Sequence, residues 1–135
     1  MEYIIDASAL LALLKNEKGA EKVKKIFEDA KKRKLSVIMH AVNFIEVVYK
    51  FRKFVGQETC NKILATFTDP FFSVLPFFDT TIYSYSAELK SKYHLSLGDS
   101  IGLAFTAVFK GKFYTCDKAL KEIAEKEGIN IEIIR

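Results

Sequence analysis

Five short apolar runs alternate with longer stretches in which apolar residues return every three or four positions. The first run, Met1 to Ile5, ends at Asp6, and the spacing over Ala7–Leu14 predicts a helix directly after it. From Lys18 to Lys34 the apolar residues are Ala20, Val23, Ile26, Phe27 and Ala30, which form one helical stripe with a charged outer face. Leu35 to Met39 reads as a second strand ending near His40. Helices are expected over Ala41–Val55 and Gln57–Thr68, the latter stopping before Pro70. Ser73–Leu75 is a third strand closed by Pro76, because proline cannot donate to a ladder. Asp79 caps a helix running to about Tyr93, and Leu97–Phe109 forms the most hydrophobic helix of the chain. Lys112–Thr115 is a fourth strand, Asp117 opens a helix ending near Gly128, and Asn130–Ile134 is the last strand.

Strands that alternate with helices pair in parallel through right-handed crossovers, with helices on both faces. The expected fold is therefore α/β, a three-layer α/β/α sandwich around a mainly parallel, doubly wound sheet. In such sheets the functional crevice lies outside the carboxyl ends of the strands. Asp6 and Asp117 both stand at expected strand ends, so chemistry and topology point to the same place.

Composition adds to this reading without changing it. At 135 residues, half of them hydrophobic and with twelve Phe and six Tyr, the chain suits one domain over 1–135 with a core that needs no staples. Cys60 and Cys116 form no CxxC pair and follow no signal peptide, so a cytoplasmic setting is expected. Cys116 reads as filler beside a strand end rather than as a reactive thiol. The Leu97–Phe109 run is shorter than the roughly 18 residues a spanning helix needs, and it contains Asp99, so no membrane segment is expected. The net charge of +4 comes mostly from lysine, with Lys24, Lys25, Lys31, Lys32, Arg33 and Lys34 crowding one helix. A solvated face is the plainer account of that run, and a phosphate-backbone footprint the sharper one. The aromatic segments Phe44 to Phe54 and Phe67 to Phe78 offer more apolar surface than one small core readily hides, which points to self-association.

Four carboxylates stand in apolar surroundings: Asp6 ends a strand, Glu46 lies between Ile45 and Val47, Asp99 starts the hydrophobic helix, and Asp117 ends the fourth strand. Taken singly, the three aspartates are open to a capping role and Glu46 to a solvent-facing one. Jointly they converge on one crevice, and no Lys or Arg sits directly beside Asp6, Glu46 or Asp99. Clustered carboxylates repel and raise at least one pKa unless a cation binds. Hard oxygen donors without His or Cys suit Mg2+ or Mn2+, and an open carboxylate site of this kind suits phosphodiester hydrolysis. Ser8 and Thr115 are placed to orient a ligand or a water, or are ordinary turn and strand-end hydroxyls. Asn43, one turn before Glu46, is a structural polar residue or a substrate contact. With the carboxylates sufficient, His40 and His94 read as structural or surface residues.

The stretch IIDASALLALL resembles the opening of PIN domains, in which a strand-end Asp and a following Ser or Thr precede a small apolar helix. AVNFIEVVYKF resembles their second motif with Glu46, LSLGDSIGLAFTAV the third with Asp99, and FYTCD the fourth with Thr115 and Asp117. The ordered set covers nearly the whole chain, and its size resembles VapC-type toxins, the ribonuclease halves of VapBC toxin–antitoxin pairs. The resemblance implies RNA cleavage by a metal-activated water, leaving a 5′-phosphate and a 3′-hydroxyl. It also implies a homodimer and a small antitoxin that blocks the site. His40 after the second strand and Gly98 before Asp99 are less typical, and bear on substrate preference.

Other small α/β classes fit less well. A phosphorylation receiver needs paired acids after the first strand and an Asp ending a central strand, whereas Asp6 is single and the third strand ends in Leu75-Pro76. A dinucleotide enzyme or P-loop protein needs a glycine-rich loop that is absent after the first strand. A catalytically idle PIN-like scaffold, or a PIN nuclease of RNA processing, stays open.

Overall fold

Neighbouring residues of each central strand enter different cores. Tyr3 and Ile5 pack on one side of the sheet with Val37, Met39 and Tyr114, while Ile4, Ile38 and Phe113 pack on the other. The computed structural model of the chain describes residues 2–67 and 70–135. Its elements are β1 (Tyr3–Ile5), α1 (Ala7–Leu14), α2 (Ala20–Lys32), β2 (Val37–His40), α3 (Ala41–Val55) and α4 (Gln57–Thr66). They continue with β3 (Phe72–Leu75), α5 (Thr80–Tyr93), α6 (Leu97–Phe109), β4 (Lys112–Thr115), α7 (Leu120–Lys126) and β5 (Asn130–Ile133). Leu10 of α1, Val23 and Phe27 of α2, Phe51 of α3 and Cys60 of α4 fill the first core. Ile82 and Leu89 of α5, Leu103 and Phe105 of α6 and Leu120 of α7 fill the second.

The sheet has the order β3-β2-β1-β4-β5 and every pairing is parallel, so the mainly parallel sheet expected is wholly so. The chain winds outward from β1 through β2 to β3, then returns to the other side of β1 for β4 and β5. β1 and β4 are thus the neighbours at which the winding reverses, and in doubly wound sheets the functional crevice lies beyond the carboxyl ends at that point. Asp6 follows β1 directly, and Asp117 lies two residues past β4.

Local chemistry explains most helix boundaries. Asp6 caps α1, Asp79 caps α5 and Ser96 caps α6, each through a side-chain oxygen that accepts a backbone N–H three residues on. His40 caps α3: its Nδ1 accepts from Val42 N at 3.1 Å, which leaves the proton on Nε2 to donate to the Phe77 carbonyl at 3.0 Å. Burial holds the His40 imidazole below its ordinary pKa, consistent with that neutral tautomer. α2 holds the whole apolar stripe but is shorter than the expected span of Lys18 to Lys34. Gly19, at φ 102°, precedes it, and Lys34, at φ 58°, turns the chain out after it.

The helix expected to open at Asp117 begins at Leu120 instead. Asp117 Oδ1 accepts from Ala119 N at 3.0 Å, and the carbonyls of Asp117 and Lys118 accept from Leu120 and Lys121. The aspartate therefore closes a tight turn whose i+3 bonds delay the helix. The expected positions Met1 and Thr68 lie outside the described residues. Among those residues no helix is long and apolar enough to cross a membrane. Of the aromatic segments, Phe51 is buried and Phe44, Phe67 and Phe72 pack on the first core, while Ile45, Tyr49, Phe54, Phe77 and Phe78 are exposed.

Candidate functional site

Asp6 is 5% exposed and is the most heavily bonded carboxylate of the crevice. Its Oδ1 accepts from Ala9 N at 2.9 Å and from the Ser8 hydroxyl at 2.7 Å, and its Oδ2 accepts from Thr115 Oγ1 at 2.5 Å. The two hydroxyls in turn accept backbone groups of the loop after β4: Cys116 N donates to Ser8 Oγ at 2.9 Å and Asp117 N to Thr115 Oγ1 at 3.0 Å. Each hydroxyl thus passes a hydrogen bond from one strand-end loop to the carboxylate of the other. Ser8 and Thr115 are direct partners of Asp6, and the capping and site-forming roles of Asp6 coexist in one side chain.

Three accepted hydrogen bonds favour the ionised form of Asp6, yet its carboxyl is raised to about 6. Burial is the dominant cause and outweighs the bonds from Thr115, Ser8 and Ala9; the charge of Asp99 raises it further. Asp99, half-buried, is raised as well, first by burial and then by Asp117 and Glu46, against the hydroxyl of Ser96 and the charge of Lys50. The charge of Asp99 thus acts on Asp6, and those of Asp117 and Glu46 act on Asp99. Ser96, not Asp99, caps α6, which leaves the Asp99 carboxylate free of that role.

Glu46 is brought in by α3, on the face that carries buried Asn43 one turn earlier. Its Oε2 stands 3.3 Å from Lys50 Nζ. This corrects the expectation of a site without a neighbouring cation: Lys50 follows Glu46 by one helical turn and also lowers the carboxyl of Asp99. The i, i+4 spacing carried that signal, since such pairs face each other on a helix. Asp117 is exposed, and beyond its turn bond it acts on Asp99 by charge. His40 is buried in its capping role and His94 ends α5 at the surface. Cys116 is half-buried beside the Ser8 carbonyl, and burial raises its thiol.

Among the described residues no group of three or more His, Cys, Asp or Glu side chains is arranged to hold a metal ion. The donor chemistry nevertheless fits Mg2+ or Mn2+. The side chains are oxygen donors only, and Mg2+ characteristically keeps several waters while bound by one or two carboxylates. Asp6 and Asp99, whose carboxyls both lie above their ordinary range, are oxygen donors of that kind.

The chain matches the PIN domain model over residues 3–126. No curated protein matches it. Among solved structures, VapBC2 from Rickettsia felis, bound to a DNA fragment from its promoter, has TM-score 0.77 at 14% identity, covering 98% of this chain and 98% of that one. The DNA-bound VapBC from Salmonella typhimurium has TM-score 0.76 at 16% identity, covering 100% of this chain and 99% of that one. A toxin–antitoxin complex from Klebsiella pneumoniae has TM-score 0.70 at 18% identity, covering 99% and 98%. At these identities the likeness is one of fold.

Proposed function

Given that the chain belongs to the PIN-domain family, we propose that it is a divalent-metal-dependent endoribonuclease that hydrolyses RNA phosphodiesters, the toxin of a toxin–antitoxin pair. The observation that carries this reading is that the charge of Asp99 raises the buried Asp6, while Asp117 and Glu46 in turn raise Asp99. The toxin role is supported by the whole-chain likeness to VapBC and toxin–antitoxin complexes. A PIN nuclease of RNA processing would share the chemistry and differ in its partner.

Asp6 and Asp99, the more buried pair, hold the ion, and Glu46 and Asp117 complete the negative field around it. When bound, Mg2+ or Mn2+ lowers the pKa of a water and offsets charge on the phosphate. Ser8 and Thr115 fix the plane of the Asp6 carboxylate by bonding both of its oxygens. Lys50 supplies positive charge at the rim, where the RNA backbone approaches four carboxylates.

Asp117→Asn separates the roles of the least buried acid. Asparagine can still accept the Ala119 N–H, so the turn survives, while the charge on the site is lost. We expect a folded protein that cleaves RNA at least about tenfold slower, a loss of roughly 1.4 kcal/mol in transition-state stabilisation. The checks are initial rate at saturating Mn2+ and circular dichroism. Wild-type rates in a folded variant would return Asp117 to its turn and leave a three-acid site.

Partners follow from the surface. Ile45, Tyr49, Phe54, Phe77 and Phe78 are large apolar side chains left exposed, and we assign them to a homodimer and to a small antitoxin that covers the crevice. The protein is placed in the cytoplasm with its RNA substrate. Light scattering at micromolar concentration should give the mass of two chains; a strictly monomeric mass would count against the dimer.

A further inference from the structure

α6 carries two glycines one turn apart, Gly98 and Gly102, and both meet α3. A methyl group at Gly102 would lie 2.9 Å from Phe113 Cζ and 3.2 Å from Asn43 Nδ2, so close packing accounts for that position. Gly98 differs. A methyl there would stand 3.2 Å from Asn43 Oδ1 and 3.7 Å from Glu46 Oε1, and among the described residues no further atom from another element lies within 4 Å. The space above Gly98 is thus bordered by two oxygens, next to Asp99 in the chain.

Asn43 is 4% exposed, yet its carboxamide makes no hydrogen bond within the protein among the described residues. Every side-chain nitrogen or oxygen fully sealed from solvent among those residues does have a partner. The carboxamide is therefore not sealed: its Oδ1 faces Gly98 and its Nδ2 faces Gly102. Two acceptor oxygens facing one solvent-reached space call for a donor between them. Lys50 does not fill it, since its ammonium lies on the other oxygen of Glu46.

We infer that the space over Gly98 seats a water of the hydration shell of a divalent cation, held by Asn43 Oδ1 and Glu46 Oε1. Asn43 is then a positioning residue for the ion, and Gly98 is the place where a side chain must be absent. The inference rests on the metal-dependent reading above and extends it to two residues outside the carboxylate set. Water-mediated holding suits Mg2+ and Mn2+, which give up their hydration reluctantly or only in part.

The test is calorimetric titration of Mn2+ into the full chain at neutral pH, with the metal-free melting temperature measured alongside. Gly98 lies in a helix at ordinary φ, so Gly98→Ala favours the metal-free fold by helix propensity while its methyl occupies the water's place. Asn43→Leu keeps the shape of asparagine and removes the acceptor. Both should weaken Mn2+ binding roughly tenfold without lowering the metal-free melting temperature. Asn43→Asp, which keeps an oxygen in that position, should bind Mn2+ at least as tightly as the wild type. Wild-type Mn2+ affinity in Gly98→Ala and Asn43→Leu overturns the water seat and leaves the carboxylate site standing. A fall in metal-free stability of Asn43→Leu with unchanged affinity in Gly98→Ala overturns it too, in favour of a packing role. No Mn2+ binding by the wild type overturns the metal reading and this inference together.

Discussion

Asp6→Asn is expected to abolish cleavage while leaving the metal-free protein at least as stable as the wild type at neutral pH. The two effects have one cause. Asp6 is almost fully buried and its carboxyl is raised to about 6, so keeping it ionised at pH 7 costs the fold on the order of 3 kcal/mol. Asparagine removes that charge and keeps an oxygen to accept from Ala9 N and the Ser8 hydroxyl, so the cap of α1 survives. Its NH2 meets Thr115 Oγ1, which has a second lone pair besides the one used by Asp117 N. On the proposed reading the same exchange deletes a charge that holds the ion, and a rate loss of about a thousandfold, roughly 4 kcal/mol, is expected. A thermal melt without metal and an initial rate with Mn2+ decide it. A markedly less stable Asp6→Asn protein would mean that the ionised carboxylate stabilises the fold, and the site would then be structural.

The second large effect couples metal to pH. A carboxyl whose folded pKa is raised contributes stability that is fully present below its unfolded value near 4 and lost as pH rises through the folded one. For Asp6 that window runs from about 4 to about 6, and Asp99 shifts in the same direction. The metal-free site is therefore most strained at neutral pH, where an ion finds its ligands already deprotonated. An ion at a hundred times its dissociation constant adds about 2.7 kcal/mol. Millimolar Mn2+ should raise the melting temperature by several degrees at about pH 7.5 and much less at about pH 5. In Asp6→Asn the increment should nearly vanish at both. Equal increments at the two pH values in the wild type would show that the ion binds elsewhere.

Much of this was legible in the sequence where a boundary depends on one residue's own chemistry. α1, α3, α6 and β4 have the expected bounds, and the three helices start where they do because Asp6, His40 and Ser96 cap them. The start of α7 was not legible: Asp117 reads as a helix cap, and only the bonds of the 117–121 turn show that it closes a tight turn first. The acids stand out by their apolar neighbours, and the order of the strands sets Asp6 and Asp117 just past the ends of two neighbouring strands. What stayed hidden depends on how α3 meets α6. Lys50 joins the cluster because it shares a helix face with Glu46, and Gly98 matters because Asn43 on another helix faces it. Packing accounts for Gly102 and leaves the oxygens over Gly98 unexplained.

The central claim is that these carboxylates hold an ion which turns water on an RNA phosphodiester, and the product ends report on it directly. Purified protein, a defined single-stranded RNA and Mn2+ should give fragments with 5′-phosphate and 3′-hydroxyl ends, with cleavage stopped by excess chelator and restored by added Mn2+. Fragments ending in 2′,3′-cyclic phosphate, formed by the ribose's own hydroxyl, or cleavage undiminished in chelator, would contradict it.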